Sequence, residues 1–147
     1  MMGLTKKTGY GLTAMAHLAH LPQGQLATAR EIAHQYEIPQ ALMMNVMKRL
    51  AAAGYVESVR GAHGGYRLAK HLSDVTLEEF STRLEGPVRL AACISHVTGD
   101  STACTQANQM LCPVHDPVHR VQRRLQDFLK RVTLAEIVDP ALTGARE

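Results

Sequence analysis

The most distinctive chemistry in this 147-residue sequence lies in three cysteines and a histidine, spaced Cys93-x10-Cys104-x7-Cys112-x2-His115. Three soft thiolates and an imidazole in so short a stretch make a ligand set for a transition metal or a cluster. The spacing lacks the tight C-x2-C knuckle of a structural zinc finger. Thiolates reaching inward from irregular positions along one loop suit an iron–sulfur cluster better. An odd cysteine count leaves one thiol over in any intrachain disulfide scheme. Two blander readings stand beside this one: the cysteines are incidental, or the nitrogen ligand is His96 or His119 in place of His115.

A second set of residues is polar and basic. Gln40, Asn45 and Lys48 fall on one side of a helical stretch whose other side carries Met43, Val46, Met47 and Leu50. Gln and Asn can pair bidentately with adenine in a major groove. Lys48 can reach guanine or a phosphate, and Met44 a thymine methyl. Arg60 and His63 lie in a glycine-rich stretch and can enter an adjacent minor groove, where arginine is favoured if the groove is narrow. Thr28 opens a helix and can present amides to a phosphate. Taken singly, each is also an ordinary solvated side chain.

Charge gives these residues a common context. Residues 1–70 hold eight Lys/Arg and three acids, for +5, and the remainder carries −2. The basic half is where a polyanion would be met.

The elements that must position these groups are legible from period and punctuation. Leu4, Tyr10, Ala14, Leu18 and Leu21 recur at helical spacing over Thr5 to Leu21, and Pro22-Gln23-Gly24 ends that helix. Thr28-Ala-Arg-Glu31 is a capping box opening a short helix with Ile32, Ala33 and Tyr36. Pro39 suits the first position of a third helix running to about Ala53, with Gly54 as its C-cap. A short helix, a tight turn and a second helix are the helix-turn-helix order, with the third helix in the recognition position.

Tyr55–Val59 and Tyr66–Ala69 read as paired strands around Arg60-Gly-Ala-His-Gly-Gly65, which makes a wing. Thr76-Leu-Glu-Glu79 is a second capping box, and its helix stops at Gly86-Pro87. No period is sustained from Val88 to Pro113, which holds all three cysteines. From Asp116 to Arg131 a narrow stripe of Val118, Val121, Leu125, Phe128 and Val132 resembles a two-stranded packing seam. Thr133-Leu-Ala-Glu136 opens a last short turn.

The expected architecture is therefore mainly α with a small β-hairpin. Residues 1–86 form a winged helix-turn-helix and 87–115 a cysteine-containing loop. Residues 116–138 form a dimerisation helix with a C-terminal turn, and 139–147 a flexible tail. A composition 46% hydrophobic and 20% charged excludes a disordered chain. No apolar run approaches the ~18 residues of a membrane span, and no secretory leader is evident, so a cytoplasmic protein is expected. No nucleophile–base motif points to an enzyme.

The sequence resembles the Rrf-type winged-helix regulators, a family that includes regulators of iron–sulfur cluster biogenesis operons and nitric-oxide-sensitive repressors. The residues carrying the resemblance are Leu4-Thr-Lys-Lys-Thr-Gly-Tyr10, the wing Val59-Arg-Gly-Ala-His-Gly-Gly-Tyr-Arg-Leu-Ala69, Leu84-Glu-Gly-Pro87, Leu111-Cys-Pro-Val114 and Thr133-Leu-Ala-Glu-Ile-Val138. The Leu-Glu-Gly-Pro and Cys-Pro-Val segments are most similar to the SUF-type cluster-assembly regulators. The resemblance implies a homodimer joined through the long C-terminal helix and binding to a palindromic operator in double-stranded DNA. It also implies a [2Fe–2S] or [4Fe–4S] cluster on Cys93, Cys104 and Cys112, with His115 as the fourth ligand. In another branch of the family an acidic residue on the first helix of the second subunit completes the site; here that position is Gly9.

Overall fold

The computed structural model describes residues 5–90 and 111–138. It begins with α1 (Lys6–His20), whose N-cap Thr5 accepts from the Lys7 amide. Thr8, Gly11, Ala14, Met15 and Leu18 are buried at helical spacing and face the core. Gly11 is where α1 meets the later helix α4 (Leu77–Glu85). A Cβ there would stand 2.7 Å from Leu84 Cδ1 and 3.0 Å from Phe80 Cζ.

Gly11→Ala therefore sets two effects against each other. Alanine gains about 1 kcal/mol of helix propensity, while overpacking a filled core costs about 1–3 kcal/mol. Both neighbours are essentially fully buried, so the packing cost should win. A net loss of about 1 kcal/mol is expected in a urea titration, and an unchanged or raised midpoint would show that Leu84 yields.

The helix-turn-helix follows as α2 (Ala29–Gln35) and α3 (Gln40–Ala52). Thr28 and Glu31 form the reciprocal capping box, with Thr28 N donating to Glu31 Oε2 at 2.6 Å and Glu31 N to Thr28 Oγ1 at 3.1 Å. The turn between the helices places Glu37 at φ 54, a left-handed conformation that costs a non-glycine residue roughly 1 kcal/mol. The Ile38 N–Ala33 O bond of 2.9 Å spans this turn. Pro39 lies one position earlier than expected: it is the N-cap of α3, with ψ 125, and its carbonyl accepts from Leu42 and Met43.

The wing is β1 (Val56–Val59) paired antiparallel with β2 (Gly65–Leu68), in register Val56↔Leu68 to Val59↔Gly65. Its glycines are required by the backbone. A Cβ on Gly64 would overlap the Val59 carbonyl oxygen, and one on Gly65 would stand 2.9 Å from the Ala27 carbonyl oxygen. That second approach exists because Ala27, just before α2, exchanges hydrogen bonds of 3.2 and 2.8 Å with Tyr66. The wing is thus stitched to the start of the helix-turn-helix.

Helix α4 begins at N-cap Thr76, whose side chain accepts from Glu79 N. The expected reciprocal half of this cap is replaced. The Glu79 carboxylate turns inward and accepts from the Tyr55 hydroxyl at 3.1 Å. Burial and this bond raise the phenol's pKa, so it remains a donor. Tyr55 and Phe80 pack with ring centroids 5.5 Å apart, in a core with Met15, Ile32, Met43, Met47 and Leu50.

The C-terminal part comprises α5 (His115–Arg131) and α6 (Leu134–Val138). Leu77 N donates to Val132 O at 2.8 Å and Leu134 N to Val75 O at 2.9 Å, which docks this end on the winged unit. The stripe expected as one seam on α5 is split. Leu129 is buried, with Leu125 and Val132 packed against the chain's own core. Val114, Val121 and Phe128, at seven-residue spacing, are 55%, 51% and 61% exposed. No helix among the described residues is long and apolar enough to cross a membrane.

Candidate nucleic-acid interface and metal ligands

Helix α3 separates its faces cleanly. Met43, Val46, Met47 and Leu50 are buried, while Gln40, Met44, Asn45 and Lys48 are all exposed. Gln40 Nε2 lies 3.9 Å from Met44 Sδ, so the first turn of the exposed face is loosely ordered by its own side chains. In the wing, Arg60 and His63 are exposed at the tip. Arg67 is committed to Glu57 at 2.8 Å across the strand pair, and the guanidinium holds that carboxylate below its ordinary pKa. Arg60 has no such ion pair among the described residues.

Thr28 sits at the start of α2 as expected, but its donors are in use. Its amide and hydroxyl both point at Glu31 Oε2, and these bonds, the backbone one foremost, hold the Glu31 carboxyl below its usual range. A phosphate at this helix end would meet a carboxylate already in place.

Of the expected metal ligands, Cys112 and His115 are among the described residues; Cys93, Cys104 and the alternative His96 lie outside them. Cys112 is a half-buried free thiol. His115 is the first residue of α5, and its amide donates to Cys112 O at 3.3 Å. Its Nδ1 lies 3.1 Å from Asp116 Oδ1, and its Nε2 is buried with no hydrogen-bond partner among the described residues.

A carboxylate on Nδ1 fixes the tautomer that leaves an Nε2 lone pair free, as the carboxylate behind a metal-ligating histidine commonly does. His119 lies one turn on, its ring tilted against that of His115 with centroids 4.4 Å apart. Both rings line a cavity of about 490 Å³ with Asp116, Arg120 and Arg123. No group of three His, Cys, Asp or Glu among the described residues is placed to hold a metal ion, and those residues hold only two of the four expected ligands. Gly9 is exposed with open space around it.

Three contacts absent from the sequence reading join these regions. Buried Gln122 donates from Nε2 to Val88 O at 2.7 Å and accepts at Oε1 from Leu90 N at 2.9 Å. It pins the chain just before the cysteine segment to α5, two turns along from His115. Glu85, at the end of α4, accepts the amides of Thr5 and Thr8, each at 3.2 Å, and so caps α1. Arg49 of α3 donates to Leu84 O at 2.7 Å. Residues 84–90 therefore touch α1, α3 and α5 at once. The available signal for Gln122 was a lone polar residue inside an inward-facing apolar row.

Over residues 4–140 the sequence matches the Rrf2 family, iron-dependent transcriptional regulators. The chain belongs to the Rrf2 family. It is similar to CymR, the global cysteine regulator of B. subtilis, at 26% identity over 95% of this chain and 98% of that one, with TM-score 0.68. The oxidised form of S. aureus CymR matches at 25% identity over 94% and 97% of the two chains, with TM-score 0.65. T. potens IscR shares the fold, with TM-score 0.65 at 23% identity over 99% and 93%. Rrf2 proteins are DNA-binding transcriptional regulators.

Proposed function

We propose that this Rrf2 protein is a homodimeric regulator whose operator binding is set by an iron–sulfur cluster on Cys93, Cys104, Cys112 and His115. The observation that carries the reading is the His115 imidazole, held at Nδ1 by Asp116, with Nε2 buried and without a hydrogen-bond partner among the described residues, three residues after Cys112. Leaving such a nitrogen unpaired costs roughly 1–3 kcal/mol, a cost that coordination would remove. When bound, the cluster supplies a centre labile to oxygen, nitric oxide or iron supply.

Residues 1–86 act as the DNA-reading unit, 87–115 as the cluster loop and 116–138 as the dimerisation helix. Val114, Val121 and Phe128 offer the seam to a second copy. Gln40, Met44, Asn45 and Lys48 read base edges, and Arg60 and His63 reach the minor groove of a palindromic operator, while Thr28, whose donors Glu31 occupies, is left out of the contact set. The route from loop to DNA runs through residues 84–90: Gln122 holds their far end on α5, while Leu84 and Glu85 hold α3 and α1. Two arrangements of that link would bias DNA affinity.

The likeness to oxidised CymR favours one second reading, in which the cysteines form a thiol switch or a zinc site without a cluster. Anaerobic purification separates the two. Stoichiometric iron, acid-labile sulfide and visible absorbance are expected, together with a DNA affinity that differs between reconstituted and cluster-free protein. A colourless protein that holds zinc or forms a disulfide under oxidant would instead establish the second reading.

A further inference from the structure

Beside the recognition helix runs a cleft of about 660 Å³ between the first turn of α1 and the outer side of α3. Tyr10, Leu42 and Val46 supply its apolar lining, and four cations, Lys6, Lys7, Lys48 and Arg49, also line it, with no acid among the lining residues. We propose that this cleft seats the sugar–phosphate backbone of the same duplex whose major groove α3 enters. The inference rests on the DNA-binding reading and extends its footprint to α1.

Continuity supports that occupant. Asn45 and Lys48 line the cleft and also belong to the exposed face of α3. A helix lying in a major groove is flanked by two phosphate strands, so an element alongside it meets backbone and not bases. The apolar lining suits deoxyribose carbons and the cations suit phosphates.

The charge must come from side chains, because the amide end of α1 is taken. Glu85 accepts from Thr5 N and Thr8 N, and Thr5 Oγ1 accepts from Lys7 N. A carboxylate this close to a phosphate seat is unfavourable in Coulomb terms, yet it fixes the first turn that carries Lys6 and Lys7. Glu85 is thus a positioning residue, tied to α3 through the neighbouring Leu84–Arg49 bond.

Backbone contact is independent of sequence, so a random-sequence duplex of about 30 base pairs suffices as probe, with affinity measured across a salt series on anaerobically purified protein. Each lost phosphate contact lowers the log–log salt slope by about 0.9. The Lys6→Ala/Lys7→Ala double variant is therefore expected to lower it by about 1.8, equivalent to about a 60-fold loss at 0.1 M salt. Both lysines are exposed, so the fold should persist, and Lys130→Ala on α5 should leave the slope unchanged.

Glu85→Ala sharpens the test through its sign. Loss of a nearby acid alone would raise affinity, whereas loss of a positioning cap lowers it. An unchanged slope in the lysine variant, while Arg60→Ala in the wing still weakens binding, overturns the cleft alone. Raised affinity in Glu85→Ala overturns its positioning role. A wild-type protein that binds no duplex at low salt overturns the DNA reading and the cleft with it.

Discussion

Replacing Gln122 by leucine is expected to lower the stability of the protein by about 2–3 kcal/mol. The side chain is only 3% exposed, and its amide is justified solely by the two bonds to Val88 O and Leu90 N. Leucine has nearly the same volume, so no cavity opens, and apolar burial at ~25 cal/mol per Å² returns about a third of the loss. What cannot be recovered is a part-buried carbonyl and a part-buried amide left without partners, at roughly 1–3 kcal/mol each.

A drop in melting temperature of about 5–10 °C should follow for a chain of this length, with faster hydrogen exchange at the Leu90 amide. The functional consequence is separable. Once the start of the cysteine segment is detached from α5, DNA affinity in cluster-loaded and cluster-free protein should converge. A melting temperature within 1 °C of wild type, with Leu90 still protected, would remove Gln122 from the coupling route.

The same residue shows where sequence reading stops. The helix-turn-helix, the wing and the buried stripe of α3 were legible because each rests on local rules: caps, a 3.6-residue period, and turn chemistry. Thr28–Glu31 formed as its spacing dictates. Thr76–Glu79 matched the same pattern, yet Glu79 went to Tyr55, a residue 24 positions away that the pattern does not contain. The stripe on α5 was divided for a related reason. Period alone gives the angle of an apolar row but not how much of it the chain's own core will claim, and of that row Leu125 and Val132 turned inward.

The wing glycines were read as turn formers. Gly64 and Gly65 are needed because backbone from Val59 and Ala27 passes too close for a Cβ. On the metal side, ligand types are visible in the sequence, whereas the orientation of His115 by Asp116 is a property of the first turn of α5.

That orientation leads to the ligand series. Cys112→Ser is expected to abolish stoichiometric cluster retention, because a hydroxyl stays protonated near neutral pH where a thiolate ligates. His115→Ala should leave a site one ligand short, visible as a shifted absorbance spectrum and a much faster loss of iron to a chelator. Asp116→Ala removes only the group that holds Nδ1, and outer-shell losses of this kind cost about 10–100-fold in metal affinity. It should therefore rank below His115→Ala and above wild type in iron-release rate.

His119→Ala is the decisive comparison, since its ring packs against that of His115 and lines the same cavity. A ligating His115 needs that neighbour only as packing, so iron release in His119→Ala should stay close to wild type. The opposite ranking, with His119→Ala losing iron faster than His115→Ala, would move the fourth ligand one turn along α5. Equal and negligible effects from both, alongside full loss in Cys112→Ser, would leave the nitrogen position to a residue outside 111–138 and discount the unsatisfied Nε2 as a sign of coordination.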